Sequence, residues 1–198
     1  MLRNPIHLRL AKLESWQHVT FMACLCERMY PNYQVFCQNS HFADAQLYRR
    51  ILDLVWETLL VKDAKINFDN QLEKFEEAIP SGDDFDFYGV YPAIDACVAL
   101  SELVHSRLSG ETLEHAIAVS ETSVTTVAML EMTQCGRELT DDELKENVAV
   151  IDEWDAQWEI FRLLADCEER DLELIKGLRQ DLREDGISNI GVLFEKKS

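Results

Sequence analysis

Hydrophobic and polar residues repeat along nearly the whole chain with the period of an α-helix. Strict alternation of apolar and polar residues, which is typical of a half-buried strand, is absent. Signals for helix starts and stops are frequent: Asn4-Pro5 and Ser15 suit helix starts, whereas Pro31 and Gly110 suit helix ends. The pattern therefore predicts an all-α protein.

The predicted elements form a single-domain helical bundle of about seven to eight helices that covers residues 1–198. Helices are predicted over about 5–13, 15–30, 44–61, 67–79, 92–109, 111–134, 140–147 and 148–185, with a short helical turn at 33–38. Thr140 and Glu143 have the spacing of a capping box at one of these starts. An irregular C-terminal tail is predicted over residues 187–198.

The last predicted helix, from Val148 to Asp185, is unusually long. At 1.5 Å per residue it would span roughly 55 Å, more than the diameter of a bundle of this size. It must then kink, near Asn147 or Gly177, or extend beyond the bundle and expose an apolar strip of Leu172, Ile175, Leu178 and Leu182. Since two-fold pairing is the commonest way to cover such a strip, we expect a homo-oligomer, with a homodimer as the simplest form.

The net charge of the chain limits the kinds of partner that it is expected to bind. The 198 residues include 37 acidic and 19 basic side chains, a formal net charge of −18. A field of this sign repels phosphate backbones and anionic lipids, so we expect neither direct nucleic-acid binding nor a membrane partner. The chain has no apolar run of membrane-spanning length and no signal-peptide pattern, and its six cysteines form no CxxC pair. A cytoplasmic location with reduced thiols is expected.

Three polar residues are the candidates for a site. Glu102 and His105 have the Glu-x-x-His spacing that places both side chains on one helix face, and Glu131 falls on an apolar helix stripe. A buried carboxylate needs a partner, for which Arg107 is the candidate. We therefore consider a polar ligand pocket formed by Glu102, His105 and Glu131. The alternative is that such acids, including Glu168, form structural ion pairs or lie beyond the buried part of their helices.

No cofactor or metal ion is expected. A di-iron site needs a second Glu-x-x-His pair, and the sequence contains only one. The loop from Asp84 to Asp95 matches an EF-hand at only some of its ligand positions. The motifs of serine hydrolases, P-loop proteins, dinucleotide-binding proteins, zincins and kinases are absent, so catalytic residues stay unknown and the balance is against an enzyme.

Long stretches of the chain resemble one known family. The segments are WQHVTFMACLCERMYPNY, RRILDLVWETLLVKDAKINFDNQLEKFEEAIPS and YGVYPAIDACVALSELVHSRLSGETLEHA, and the resemblance extends over nearly the whole chain. They are similar to the YjaG-like family of uncharacterised bacterial proteins, a domain-of-unknown-function family. The resemblance implies a single all-helical domain in the cytoplasm, and it implies no activity and no functional residues.

Three functions remain open at this point. The first is a non-catalytic helical protein that acts through protein–protein interaction or self-association, which the long last helix and the aromatic stripe of Trp154, Trp158 and Phe161 favour. The second is an enzyme or small-ligand binder with a polar pocket between helices. The third, supported by charge alone, is an acidic protein that occupies the nucleic-acid surface of a basic partner.

Overall fold

The backbone is helical throughout, as the sequence pattern predicts. The structure, a computed structural model, describes residues 4–193 and over this range contains nine α-helices, a 3-10 turn at Gly82–Asp84 and no β-strand. The helices are α1 (Ile6–Leu10), α2 (Ser15–Ser40), α3 (Gln46–Leu60), α4 (Phe68–Glu76), α5 (Val90–Ser109), α6 (Thr112–Cys135), α7 (Asp141–Glu146), α8 (Val148–Ala165) and α9 (Leu172–Asp185). The prediction of an all-α bundle is confirmed, with nine helices where seven to eight were expected.

Side-chain caps explain where the two helices after α6 begin. The Thr140 hydroxyl accepts a hydrogen bond from the Glu143 N–H, and the Glu143 carboxylate accepts one from the Thr140 N–H at 2.9 Å. The capping box predicted at the start of α7 is thereby confirmed. The Asn147 side chain accepts a hydrogen bond from the Val150 N–H at 3.1 Å and so caps the start of α8. Asn147 is the single residue between α7 and α8.

Helix α2 does not end at Pro31, so that expectation is wrong, and the separate turn predicted at 33–38 is part of the same helix. Proline lacks an N–H and costs about 3 kcal/mol inside a helix. Here it lies in a helix whose residues are buried on nearly every face, and packing offsets that cost. Just before the proline, the Arg28 carbonyl accepts a bond from the Asn189 N–H at 3.2 Å, a donor outside the helix.

The single long helix predicted from Val148 to Asp185 is also wrong. Helix α8 ends at Ala165, and α9 begins after Asp171, whose carboxylate accepts hydrogen bonds from two N–H groups of the new first turn. Helix α9 then packs against α2 and α3. Ile175 and Leu178 are buried in the chain's own core, so the apolar strip that was expected to project from the bundle does not exist.

Helix α2 is the centre of the packing. It contacts α3, α5, α6, α8 and α9, and α5 lies between α2 and α6. The largest fully buried side chains include Trp56, Tyr33, Tyr48, Phe21, Phe36 and Phe75. Among the nine helices of residues 4–193, none combines the length and apolar character that crossing a bilayer requires.

Residues 187–193, here called the C-terminal segment, follow α9 without forming a helix, and residues 194–198 of the predicted tail lie outside the described residues. The Ser188 hydroxyl accepts hydrogen bonds from the N–H groups of Ile190 and Val192 at 3.2 and 3.0 Å. Ile187 and Leu193 pair through an isolated β-bridge. These bonds shape the segment so that it lies against α2.

Candidate functional site

Glu102 and His105 lie on the surface between α5 and α6, where a third residue joins them. Glu102 Oε2 and His115 Nδ1 are 2.6 Å apart, and the rings of His105 and His115 stack with centroids 6.4 Å apart. His105 is exposed, and Glu102 and His115 are partly exposed. The proximity of Glu102 and His115 is a tertiary contact that the Glu-x-x-His spacing does not show.

Glu131 lies at the other end of the same helix pair. It is sixteen residues beyond His115 on α6, about 24 Å along the helix axis. Its carboxylate accepts a hydrogen bond from the Asn147 amide at 2.7 Å, next to the start of α8. The structure thus does not bring Glu131 together with Glu102 and His105, and the three form no common pocket.

The other acid and the arginine considered with them are also separate. Glu168 is exposed in the link between α8 and α9. Arg107 is half-buried near the end of α5, where burial lowers its pKa, and among residues 4–193 it forms no ion pair. The expected pairing of Arg107 with a buried acid is therefore not observed.

Ser109, His115 and Glu102 follow one another in the order of a hydrolase triad. The Ser109 hydroxyl is 3.5 Å from His115 Nε2, and it accepts a hydrogen bond from the Glu111 N–H at 3.1 Å. Acyl transfer relies on donors fixed around the reacting atoms in a site that excludes water. Ser109 is exposed to solvent, so these contacts join the end of α5 to the start of α6 and suit a structural link.

A buried carboxylate cluster lies elsewhere, around Glu27 in the middle of α2. Glu27 Oε1 accepts hydrogen bonds from Trp56 Nε1 at 2.9 Å and from the Arg183 guanidinium at 2.6 and 2.9 Å. Oε2 accepts one from Arg49, whose guanidinium also lies 4.0 Å from the centre of the Tyr30 ring. We call Glu27, Arg49, Trp56 and Arg183 the Glu27 cluster. It joins α2 to α3 and α9.

A second buried carboxylate, Glu153 of α8, contacts α2 through Arg28, the residue after Glu27. Arg28 donates to Glu153 Oε2 at 2.6 Å, and Ser123 and Gln157 donate to Oε1 at 2.7 and 2.9 Å. Ser120 in turn bonds to Gln157, and His7 lies 3.1 Å from the Ser120 hydroxyl. This network joins α1, α2, α6 and α8.

Both carboxylates accept hydrogen bonds on both of their oxygens, which limits their chemistry. A general base must have a lone pair that can reach a substrate proton. Glu27 and Glu153 use both oxygens to accept hydrogen bonds from donors of the fold, although Glu27 lines a cleft of about 360 Å³ together with Arg49 and Arg183. In the part of the chain that the structure describes, no three His, Cys, Asp or Glu side chains lie close enough to hold a metal ion.

A different kind of cavity lies one turn after Glu27 on α2. It has a volume of about 280 Å³, is open on one side, and is lined by α2, the start of α5, α6 and the C-terminal segment. Three aromatic side chains, Phe36, Phe87 and Tyr88, form one part of its wall. The remaining apolar wall is formed by Val35, Pro92, Leu130, Ile190 and Val192. Asn32 of α2 also lines it, and we call it the Asn32 cavity.

The amide of Asn32 is held in one orientation by a relay of hydrogen bonds. The Asn189 amide nitrogen donates to the Ser123 carbonyl at 3.0 Å, a group that can only accept, and this fixes the Asn189 oxygen on the other side. Asn32 Nδ2 donates to that oxygen at 2.9 Å. Asn32 Oδ1 is left buried without a hydrogen-bond donor among the described residues, on a side chain that is 4% exposed.

Sequence reasoning missed the Asn32 cavity because it ended the helix at Pro31 and so placed Asn32 in a loop. The closest local signal is Pro31, which lies inside an otherwise apolar helical segment and is followed by the amide side chain of Asn32. The partner that orients Asn32 lies 157 residues further along the chain, and no local pattern indicates that contact.

Comparison with known proteins places the chain in a family. Residues 5–193 match the sequence profile described as "Protein of unknown function (DUF416)". The chain belongs to the DUF416 family. It is similar to the uncharacterized protein YjaG of Escherichia coli (strain K12), with 81% identity over 99% of this chain and 100% of that protein. The YjaG-like family resemblance seen in the sequence is thereby confirmed.

Two more distantly related proteins match nearly the whole chain, and one of them has a solved structure with the same fold. An uncharacterized protein of Haemophilus influenzae is 54% identical over 98% of this chain and 100% of its own length. A crystal structure of a DUF416 family protein from Shewanella baltica has a TM-score of 0.91 and 33% identity, covering 97% of this chain and 100% of that one. The family description assigns no function, so functional conclusions rest on the geometry.

The Glu27 cluster makes a first prediction, about stability. We expect Glu27→Gln to lower the free energy of unfolding by about 3 kcal/mol, because it leaves Arg49 and Arg183 without their buried counter-charge. The matched change Glu102→Gln, in a partly exposed pair, is expected to cost less than about 1 kcal/mol. Urea unfolding at pH 7.5 measures both, and equal costs would contradict a central role for Glu27.

The buried His18 and the half-buried His7 lead to a second prediction, about pH. Burial lowers the pKa of both His7 and His18 from the ordinary value of 6.5, and nearby Glu121 or the Leu10 carbonyl offsets this only in part. The unfolded chain therefore takes up protons at these positions more readily than the folded one as pH falls below about 6.5. Stability from the neutral histidines is present above that pH and is lost below it.

We expect His18→Gln, which can still donate to the Leu10 carbonyl, to reduce the loss of stability between pH 7.5 and pH 5.5. Urea unfolding of wild type and variant at both pH values measures the difference in slope. An unchanged slope in the variant would show that His18 does not contribute to the pH dependence.

Proposed function

We propose that the protein is a non-catalytic binding protein that holds a small molecule in the Asn32 cavity. The observation that carries this proposal is a mostly apolar cleft of about 280 Å³ whose lining includes two amide side chains, Asn32 and Asn39. Ligand sites in proteins are concave and mostly apolar, with a few placed polar groups that orient the ligand. The Asn32 cavity has both properties.

The state of the buried acids supports binding over catalysis. Glu27 and Glu153 are the carboxylates best shielded from water, and each already accepts at least three hydrogen bonds from the fold. Ser109, His115 and Glu102 lie near the end of α5, whereas the cavity lies near the start of this helix at Val90. In the proposed function, Glu27, Glu153 and Glu102 hold helices together and do not act on the ligand.

The cavity is accessible from one side. Asn39 and Phe87 are exposed at its rim, whereas Asn32 is buried. The two asparagines are separated by two turns of the same helix and lie on the same face. A ligand can therefore enter between Asn39 and Phe87 without unfolding a helix.

A substitution that fills the cavity tests this function. Val35 lines the cavity, and we expect Val35→Trp to occupy the space and to weaken binding of the probe indole at least tenfold. Gln38→Trp, one turn further along α2 and exposed, is the matched control and should bind indole as wild type does. Isothermal titration calorimetry and ligand-observed NMR measure the binding.

Two results would contradict the proposed function. One is the absence of indole binding to wild type up to millimolar concentration. The other is equal binding by Val35→Trp and Gln38→Trp, which would locate the bound indole outside the cavity. Circular dichroism of both variants confirms that the helices are retained.

Self-association is a second candidate function, favoured by one observation on α8. Val148 and Ile151 lie one turn apart at its start and are 71% and 39% exposed. A second copy of the chain could cover them through two-fold pairing. The support is narrower than the sequence indicated, because Trp154 and Phe161 of the aromatic stripe face the chain's own core.

We expect the double change Val148→Glu and Ile151→Glu to convert a dimer to a monomer if this face pairs. Val61→Glu, at a 50% exposed position after α3, is the control and should leave the mass unchanged. Light scattering at micromolar concentration gives the mass. A wild-type mass of one chain, independent of concentration, would rule out self-association.

As part of the same proposal, the chain acts as one domain in the cytoplasm. All six cysteines are free thiols, and four of them, Cys24, Cys26, Cys37 and Cys97, are buried. Free thiols suit a reducing compartment. Burial also raises the pKa of the Cys24 and Cys26 thiols, so these groups are held in their unreactive form.

A further inference from the structure

We infer that a surface of exposed aromatic rings and unpaired carboxylates binds an arginine-rich segment of a partner protein. The surface lies where α2 ends and α5 begins. Binding there is separate from the proposed small-molecule function, because it needs no ligand in the Asn32 cavity. We call it the Phe87 surface, and its members, all of them exposed, are Phe42, Asp83, Asp84, Asp86, Phe87 and Tyr91.

The aromatic rings of the Phe87 surface are exposed but held in place. Phe87 is 42% exposed and Tyr91 is 53% exposed. The Phe87 ring lies so close to Gly89 that a Cβ atom on this glycine would be 3.1 Å from it. A Cβ atom on Gly82 would likewise be 3.3 Å from the Tyr91 ring. Side chains that are already ordered lose little entropy when a partner covers them, which favours binding.

The carboxylates of the Phe87 surface lack a counter-charge. Asp83, Asp84 and Asp86 form no ion pair with any of residues 4–193. They follow directly after Gly82, the residue that lies against the Tyr91 ring. The segment 75–106 that contains them has further acidic residues and neither lysine nor arginine. A basic partner is therefore attracted here without competition from this segment's own side chains.

An arginine side chain combines the two contacts that this surface offers. Its planar guanidinium stacks on aromatic faces and donates hydrogen bonds to carboxylates. The protein contains this arrangement elsewhere, since Arg49 lies 4.0 Å from the centre of the Tyr30 ring and donates to Glu27. The Phe87 surface has rings and carboxylates of the same kind but no arginine, so we expect the partner to supply it.

The extent of the surface calls for several basic groups on one molecule. The centroid of the Phe85 ring is 5.6 Å from that of Phe42 and 6.0 Å from that of Phe87, and Tyr91 follows one helical turn later. One guanidinium covers about one ring and one carboxylate. Contacts made by several arginines on one chain reinforce each other, because the first raises the effective concentration of the next.

A second copy of this chain is a less suitable partner for the same surface. A copy that presented its own Phe87 surface would bring further unpaired carboxylates next to Asp83, Asp84 and Asp86, and like charges placed opposite one another oppose association. Charge complementarity thus favours a partner of opposite sign.

Two peptides that differ only in charge test the inference. The probe is the acetylated and amidated peptide Gly-Arg-Leu-Gly-Arg-Gly, and its control has citrulline, a neutral residue of nearly the same shape, in place of both arginines. We expect wild type to bind the arginine peptide about tenfold more tightly at low salt, and this preference to shrink as salt screens the carboxylates. Isothermal titration calorimetry of the full chain measures both dissociation constants.

Two charge-matched triple variants distinguish this surface from the net charge of the chain. The first is Asp83→Asn with Asp84→Asn and Asp86→Asn, and it should weaken binding of the arginine peptide about tenfold. The control neutralises three exposed acids of the link between α8 and α9, which lies near the start of α2: Asp166→Asn, Glu168→Gln and Glu169→Gln. It removes the same charge and should stay within about twofold of wild type.

Single substitutions test the aromatic rings. Phe87→Leu and Tyr91→Leu each replace a ring by an apolar side chain, and each should weaken binding of the arginine peptide about threefold. Tyr91→Phe keeps a ring and should bind as wild type does. Circular dichroism of every variant confirms that the helices are retained.

Five results would overturn the inference. Equal binding of both peptides to wild type would exclude recognition of arginine, and equal losses in the two triple variants would attribute binding to net charge. Unchanged binding by both leucine variants would exclude the rings. If arginine amide alone binds as tightly as the peptide, the ligand is a small cation. If light scattering shows that wild type alone dimerises and that Phe87→Leu prevents this, the surface binds a second copy of the chain.

Discussion

The buried carboxylate of Glu27 sets the strictest condition on this fold. A carboxylate removed from water is tolerated only when charged and neutral donors surround it. Trp56 and Arg49 come from α3 and Arg183 comes from α9, so three helices must be in register around one side chain of α2. Glu27 fixes the position of α9 on the bundle together with Asp53, which accepts hydrogen bonds from two arginines of α9, and with the buried side chains of Ile175 and Leu178.

Helix α2 serves two polar networks and a cavity at successive positions. Glu27 and Arg28 are adjacent and point about 100° apart, toward α3 and α9 on one side and toward Glu153 of α8 on the other. Pro31 and Asn32 follow one turn later, where the helix bonds to the C-terminal segment. The two networks therefore fix the position of α2, which also lines the cavity.

Local signals predicted the parts of the fold that depend on neighbouring residues. The capping box of Thr140 and Glu143 is an example, because both partners lie within one turn. Pro31 was misread since burial of α2 outweighs the cost of one lost helical bond. The break before α9 was missed because the apolar period continues across it, and only the Asp171 cap marks a new start. Glu27 and Asn32 were missed as site residues because their partners lie up to 157 residues away.

The distance along the chain between Glu27 and Arg183 also bears on how the protein folds. Their contact closes a loop of 156 residues, and the entropy of such closure must be overcome before the contact stabilises anything. Contacts between α5 and α6 are local by comparison and can form early. We therefore expect α9 to dock late in folding, after a stage in which Glu27, the most buried charge of α2, still lacks part of its hydrogen-bond donors. Slow docking of α9 onto a partly formed bundle is therefore the kinetic consequence that we expect from the long-range ion pair between Glu27 and Arg183.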